Sequence, residues 1–237
     1  MAKAKVAERR ESPLSRESIV EAAIALLDAD GEDGLTFRAL ATRLSTGPGA
    51  LYWHVRGKDE LLASAADVVV TRALGELRAA EEPEEAVRSI AIAMFVALEA
   101  HPWLGTQLSR APSGSAMLRI FERLGRQVQA LGVRPRGQFT AASALLSYIV
   151  GVSAQNAANS QFARRQLDPS ETRETHLAQE SARWLALDAE EYAFTRAVAA
   201  QLRVHDDRDE YLAGIDLVLA GIAASLRTRR KTSRADD

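Results

Sequence analysis

The 237-residue sequence contains no cysteine, which excludes disulfide bonds, thiolate metal ligands and a cysteine nucleophile. Aromatic residues make up only 5% of the chain, and no stretch alternates polar and apolar residues for long enough to predict a β-strand. Glycine and proline, the residues that interrupt helices, number 14 and 7. Because 47% of the residues are hydrophobic and many are alanine or leucine, the composition predicts an all-α globular protein.

The sequence also lacks a secretory signal, because the charged N-terminus MAKAKVAERRESP is not followed by an apolar stretch. We therefore expect a cytoplasmic protein. Residues 137–163 carry no charge and are long enough to cross a bilayer, but polar side chains such as Gln138, Ser147 and Asn156 are spread through them. A helix packed against other protein helices explains this composition better than a membrane span.

No excess of positive charge exists over the whole chain, whose formal net charge is −2. Any affinity for nucleic acid must therefore come from a local patch. Residues 35–58 provide such a patch, because they contain Arg38, Arg43, Arg56 and Lys58 and no acidic residue, a formal charge of +4.

The same segment predicts two short helices joined by a tight turn. Thr36 is placed to cap the first of them, the run Ser45–Gly49 breaks it, and Pro48 suits the first turn of a helix that continues to Val55. A preceding helix begins after Ser15 and ends at Gly31. This is a helix-turn-helix pattern, whose last helix has the size to enter the DNA major groove.

The sequence after the helix-turn-helix predicts further helices, and the whole chain divides into two domains and two tails. We predict a disordered tail over 1–13, a helix-turn-helix domain over 14–62, a larger helical domain over 63–228 and a second disordered tail over 229–237. Within the larger domain, Asp188 with Glu191 has the spacing of a capping box and predicts a helix over 189–204.

The segment from Leu14 to Leu62 resembles the DNA-binding domain of the TetR family of transcriptional repressors. The resemblance rests on Leu35-Thr36, Arg38, Leu40-Ala41, the run LYWHV at 51–55, and Lys58 followed by Glu60-Leu61-Leu62. The remainder is similar to the tetracycline-repressor branch at Leu104-Gly105-Thr106 and around Gly151. The resemblance implies an all-α fold in which an N-terminal three-helix helix-turn-helix domain is joined by a long helix to a larger ligand-binding and dimerisation domain.

The resemblance also implies which residues touch double-stranded DNA. Arg38 matches a position that reads guanine, and Tyr52, His54 and Lys58 match contacts to the DNA backbone. Tetracycline repressors have Gln, Pro and Thr at the base-reading positions of the recognition helix, so we expect a different operator here. The predicted DNA-binding set is Thr36, Arg38, Pro48, Gly49, Ala50, Tyr52, His54 and Lys58. We expect Trp53, Leu51 and Val55 to lie in the core, and Arg43 either to contact DNA or to be solvated.

A small-molecule effector is implied as well, but not a magnesium–tetracycline complex. Trp103, Leu74 and Gln155 stand where the tetracycline branch has a Mg-coordinating His, a drug-contacting His and an acidic residue. We expect a more apolar pocket that uses no metal or cofactor. Its candidate residues, each of which could instead be ordinary core, are Phe95, Leu98, Trp103, Gln107, Phe121, Leu124, Tyr148, Gln155 and Asn159.

A single helix-turn-helix makes too few contacts for specificity, so we expect a homodimer that reads two half-sites roughly 35 Å apart. The uncharged helix over 137–163 and the last helix could form an intermolecular four-helix bundle. On the last helix, the apolar residues predicted to contribute are Tyr211, Leu212, Ile215, Val218, Leu219, Ile222 and Leu226.

The sequence therefore predicts a repressor that a small molecule releases from a palindromic operator. Two alternatives within the family remain open: a transcriptional activator, and a DNA-binding regulator controlled by a protein partner. An enzyme is disfavoured, because the four His residues are scattered and the chain has no HExxH, GxSxG, GxGxxG or P-loop motif.

Overall fold

The computed structural model describes residues 14–77, 80–166 and 172–233, and within them all regular elements are helices. The prediction of an all-α fold is thus confirmed. The predicted tail over 1–13 and residues 234–237 lie outside the described residues, whereas the last helix extends to Ser233, into the tail predicted from 229. The helices are α1 Arg16–Gly34, α2 Phe37–Arg43, α3 Pro48–Leu51, α4 Lys58–Gly75, α5 Pro83–Ala100, α6 Trp103–Arg110, α7 Ser115–Ala130, α8 Pro135–Gln166, α9 Arg173–Leu185, α10 Ala193–Val198, a 3-10 helix Ala199–Val204, and α11 Asp207–Ser233.

The first three helices form a small domain around the buried face of α1. Ser15 caps α1 by accepting a hydrogen bond from the Ser18 backbone N–H, and Ile19, Ala23 and Leu27 of α1 are buried. Gly31 has φ 69°, so the regular helix is interrupted there as predicted, but one further turn follows and reaches Gly34.

Helix α4 joins this domain to the rest of the chain without a break, so the boundary predicted between 62 and 63 falls inside a continuous helix. Its first half buries Leu61 and Leu62, and its second half buries Val70 and Leu74. Along its length α4 packs against α1, α5, α6 and α7. A displacement of α4 therefore changes contacts both in the helix-turn-helix domain and in the larger domain.

The larger domain is built from α5, α7, α8 and α11, with α6 packed against α8. The chain bends by 114° between α5 and α6. Gly105 allows the close approach of α6 to α8, because a Cβ atom at this position would lie 2.8 Å from the Cβ atom of Ala154. Helix α8 is long and apolar enough to cross a membrane. Of its most apolar window, 33% is buried within the subunit, and the remainder is partly or fully exposed.

Two predictions about the larger domain need correction. On α11, Tyr211, Ile215 and Leu219 are buried within the subunit, so they form part of its own core and not an outer apolar face. The helix predicted over 189–204 begins only at Ala193, because Tyr192 has non-helical φ and ψ of −115° and 35°. The Asp188 carboxylate instead accepts hydrogen bonds from the backbone N–H groups of Glu190 and Glu191 and so stabilises the turn before α10.

Candidate functional site

The turn between α2 and α3 is held by backbone hydrogen bonds and fixes the two helices of the motif relative to each other. The Thr46 N–H donates to the Ala41 carbonyl at 2.8 Å, and Ser45 adopts φ 50°, in the left-handed region. Thr36 caps α2 through its hydroxyl, which accepts from the Ala39 N–H at 3.1 Å. Leu51 anchors α3 and is fully buried. The local signals read from the sequence are therefore realised as a helix-turn-helix.

Most of the predicted DNA-binding residues of this motif are accessible to solvent. Thr36, Arg38, Pro48, Gly49 and Tyr52 are exposed, and Ala50 and His54 are half-buried. The Arg38 guanidinium forms no ion pair within the described part of the chain, so its donors are available to a ligand. Added Cβ atoms at Gly47 and Gly49 would meet nothing within 4 Å, which shows that this side of α3 is open.

Tyr52 is held in place by an aromatic stack with Phe37 at the start of α2. The two rings are almost parallel, with centroids 4.4 Å apart and an angle of 3° between their planes. Because Tyr52 remains 58% exposed, its free edge and hydroxyl face solvent. The stack therefore presents the hydroxyl in a defined position beside the cationic surface.

The loop from α3 to α4 is fixed by Glu60. Its carboxylate accepts from the Arg56 backbone N–H at 2.8 Å and pairs with the Arg16 guanidinium at 2.7 Å. These two interactions, the backbone one first, lower the pKa of Glu60 below its usual value. The Glu60 carboxylate is thus engaged by Arg16 and by a backbone donor, while the Arg56 guanidinium is left without an ion pair among the described residues.

Lys58, the first residue of α4, has a partner in the structure. Its ammonium donates to the Glu32 carbonyl at 2.6 Å and is half-buried. It therefore closes the end of α1, where carbonyl groups lack helical partners. An ammonium group has three donors, so this bond leaves two for a phosphate.

Trp53 is not in the core, contrary to the sequence-based prediction. Its side chain is 90% exposed, whereas Leu51 and Val55 are buried as predicted. At about 100° per residue, positions 51 and 55 share one side of a helical turn and position 53 lies opposite them. Trp53 thus lies at the surface of the helix-turn-helix, next in the chain to the exposed Tyr52.

The exposure of Trp53 makes a direct prediction about stability. We expect Trp53→Ala to change the free energy of unfolding by no more than about 0.5 kcal/mol, because a side chain so exposed contributes little packing. Urea unfolding monitored by circular dichroism measures this. A loss of about 3 kcal/mol or more, as expected for a buried tryptophan, would contradict the placement.

In the larger domain, the structure brings two of the nine effector candidates together around a residue that was not among them. Tyr211 lies 5.2 Å from Phe95 and 5.8 Å from Tyr148 between ring centroids. Its hydroxyl donates to the Ala91 carbonyl at 3.0 Å, and burial raises its pKa. Beside it lies the buried hydroxyl of Ser153, which contacts the Tyr211 hydroxyl but makes no hydrogen bond of regular geometry with any described residue. Unsatisfied polar groups of this kind are uncommon in a core.

The other candidates are dispersed. Leu98 and Leu124 are fully buried, Gln107 is half-buried, and Gln155 and Asn159 are exposed. The Trp103 indole donates to Asp28 of α1 at 2.7 Å. Phe121 and Asn159 line different cavities, of about 360 and 290 Å³, between α7 and α8 and between α8 and α9. The nine residues therefore do not surround one cavity in this structure.

The sequence reasoning missed Tyr211, Ser153 and Asp28 as functional candidates. Tyr211 was assigned to an outer face of the last helix, although an apolar position on a helix is equally compatible with the subunit core. Asp28 meets Trp103 across 75 positions of sequence, and no local pattern signals such a contact.

Comparison with known proteins agrees with this geometry. The family model "Bacterial regulatory proteins, tetR family" matches residues 19–65, and the model "Tetracyclin repressor-like, C-terminal domain" matches residues 80–226. An HTH-type transcriptional regulator of Saccharopolyspora erythraea is 35% identical over 149 residues, which are 60% of this chain and 61% of that protein. The match thus spans about three fifths of that relative.

Solved structures match over more of the chain. The transcriptional regulator SCO7222, a TetR from Streptomyces coelicolor, is 56% identical, with a TM-score of 0.79 over 90% of this chain and 99% of that one. BioQ with its double-stranded DNA operator is 30% identical, with a TM-score of 0.56 over 65% of this chain and 93% of that one. These matches cover both the helix-turn-helix and the larger helical domain.

Proposed function

Because this chain belongs to the TetR family of DNA-binding transcriptional regulators, we propose that it acts as a homodimeric repressor that a small molecule releases from a palindromic operator. The observation that carries this proposal is the exposed surface of α2 and α3, where Arg38 is exposed, Tyr52 stacks on Phe37 of α2 and α3 is open. The proposed function includes no catalytic step. We propose that the protein acts in the cytoplasm, where it can reach the DNA.

The chemistry of this surface suits a DNA groove. Arg38 can donate two hydrogen bonds to O6 and N7 of a guanine, and Tyr52 and His54 can donate to phosphates. Pro48 and Ala50 offer only apolar contacts, for example to a thymine methyl group. Direct readout therefore rests mainly on Arg38, and DNA shape supplies the remainder. An operator different from that of the tetracycline repressors follows.

The dimer is proposed to form through α8 and α11. Exposed, uncharged residues recur on α8 at spacings of three and four, the spacing of a helix-packing seam. They are Thr140, Ala144, Ser147, Gly151, Gln155, Ala158 and Phe162. On α11, Leu217 is 75% exposed, and Ala213 and Ala220 are exposed on the same side. Two copies that join these faces form a four-helix bundle and cover an otherwise solvated apolar surface.

The effector is proposed to be an apolar, metal-free organic molecule with at least one hydrogen-bonding group. Leu74 has no ligating atom, the Trp103 indole N–H donates to Asp28 and Gln155 is a neutral amide, so these positions offer a metal no imidazole or carboxylate ligand. The rings of Phe95, Tyr148 and Tyr211 and the buried Ser153 hydroxyl offer an aromatic surface and one polar group. The effect of the bound protein on transcription, a decrease or an increase, distinguishes a repressor from an activator.

Selection of bound duplexes from a random DNA pool at fixed salt tests the proposal. Enrichment of a palindrome, bound by two copies of the chain, is expected, and the enriched duplex then serves as the probe in a screen for compounds that release it. Salt-sensitive binding to all duplexes without an enriched motif would contradict a specific operator. An enriched motif that no compound releases, but that a protein partner controls, would favour the alternative regulator.

Lys58 gives a prediction that separates two roles. If its ammonium neutralises a phosphate, Lys58→Gln weakens binding to all sequences by a similar factor and lowers the slope of log affinity against log salt by about one per subunit. Glutamine keeps a donor for the Glu32 carbonyl, so the unfolding free energy should change little. Titrations at four salt concentrations measure the slope. An unchanged slope would assign Lys58 only to the end of α1.

A further inference from the structure

We propose that Asp28 is a positioning residue, which fixes the orientation of the helix-turn-helix relative to the larger domain by holding the corner between α5 and α6 against α1. This inference rests on the proposed function, because the orientation matters only for a protein that places two reading heads on one operator. Asp28 itself is not among the residues expected to touch DNA.

One carboxylate oxygen makes both contacts. Oδ1 of Asp28 accepts a hydrogen bond from Trp103 Nε1 at 2.7 Å, and it lies 2.7 Å from His101 Nδ1. Trp103 is buried, and the side chains of Asp28 and His101 are 32% and 25% exposed, so water screens these bonds only in part. A charged acceptor strengthens such hydrogen bonds.

The position of the two donors explains why the contact couples the domains. His101 ends α5 and Trp103 begins α6, and between them the chain turns by 114°. Helix α6 packs closely against α8, because Gly105 of α6 has no side chain and contacts Ala154 of α8. A shift of α6 against α8 therefore acts on α1 through the Asp28 side chain.

Other polar links between α1 and the larger domain lie on the surface. Arg110 at the end of α6 pairs with Glu32 at 2.6 Å, and Arg72 of α4 pairs with Glu21. The side chains of both arginines are more than half exposed, so these pairs contribute little to holding the domains. Asp28 differs because one of its donors is a buried indole, whose N–H loses its partner when the contact opens.

The experiment compares three variants on DNA. The probes are the selected palindrome and the same palindrome with one base pair inserted between its half-sites. In the unmodified protein the insertion weakens binding, because the reading heads are held at one separation. In Asp28→Ala we expect that penalty to shrink about 2- to 30-fold, the range over which residues outside the binding sites modulate coupling. Asp28→Asn keeps an acceptor for the Trp103 indole, so this variant should retain most of the spacing penalty.

Asp30→Ala is the matched control. Asp30 is an exposed aspartate on the same helix, and it makes no hydrogen bond or ion pair with any other described residue. It should keep the full spacing penalty. An equal spacing penalty in Asp28→Ala and the unmodified protein, or an equal loss in Asp30→Ala, would overturn the role of Asp28.

A second measurement needs no DNA. The absence of cysteine allows a clean spin-label pair at Arg43→Cys and Glu99→Cys, two exposed positions in the two domains, in labelled chain diluted with an excess of unlabelled chain. Asp28→Ala should broaden the distance distribution between the labels, and Asp30→Ala should leave it unchanged. An unchanged width in Asp28→Ala would overturn the inference even if the selection finds an operator. Failure of the selection with a broadened width would instead count against the proposed function alone.

Discussion

Replacement of Arg38 by alanine is expected to produce the largest loss of operator affinity of any single change on the DNA-facing surface. A guanidinium that donates two hydrogen bonds to one guanine contributes about 1–3 kcal/mol of discrimination. A dimer carries two copies, so the loss on a palindrome is about 2–6 kcal/mol, or about 30- to 10⁴-fold in dissociation constant. The effect is large because Pro48, Gly49 and Ala50 offer no hydrogen-bonding side chain that could take over the readout.

Arg43→Ala is the appropriate control for this prediction. Arg43 ends the same helix and is also exposed, so its removal takes away the same charge. Binding assays on the selected palindrome and on variants of each base pair should show that Arg38→Ala relaxes the preference at one position per half-site. Arg43→Ala should weaken all sequences alike. Unchanged operator affinity in Arg38→Ala would refute its assignment as the base-reading residue.

Leu217→Glu is expected to separate the two subunits. In the proposed bundle this residue of α11 lies in the interface, and the twofold symmetry would bury two carboxylates without partners. An uncompensated buried charge costs several kcal/mol, so the dimer dissociation constant should rise by about 100-fold or more. Operator binding should fall in parallel, since one helix-turn-helix alone holds few contacts. Sedimentation velocity over a concentration series measures the subunit equilibrium.

Leu118→Glu separates this effect from a general loss of solubility or fold. Leu118 is 54% exposed on α7, on a helix that the proposed interface does not include. The variant should remain dimeric and bind the operator normally. Circular dichroism should show native helix content for both variants, because neither leucine is buried in the subunit. A dimeric Leu217→Glu protein would place the interface elsewhere.

The helix-turn-helix was predictable from sequence because its determinants are local. Thr36 caps α2 and Pro48 begins α3 as expected, and the buried Leu51 follows from the spacing of apolar residues. Two predictions in this region are wrong: α3 ends at Leu51 and does not continue to Val55, and Trp53 is exposed although it was expected in the core. The family resemblance then supplied roles for Arg38 and Lys58 that spacing alone does not give.

The larger domain was predictable as helices but not as a site. An apolar position on a helix does not reveal whether it faces its own core or another subunit, and so Tyr211 was placed on the wrong side while Leu217 was overlooked. Contacts such as that between Asp28 and Trp103 depend on how distant helices cross. The geometry of crossing helices is set by the packing of the whole domain, which no short window of sequence contains.

The emptiness around Gly49 has a consequence for how this regulator could change its targets. A Cβ atom at this position would meet nothing within 4 Å, and Gly49 has no positive φ that would oppose a side chain. A longer residue could therefore be introduced there without repacking α3, and it would extend into solvent on the side that we propose to face the DNA. A single codon change could thus give the protein a new preferred operator while its stability and its effector domain stay as they are, which makes this position a natural starting point for engineered or evolved rewiring of gene circuits.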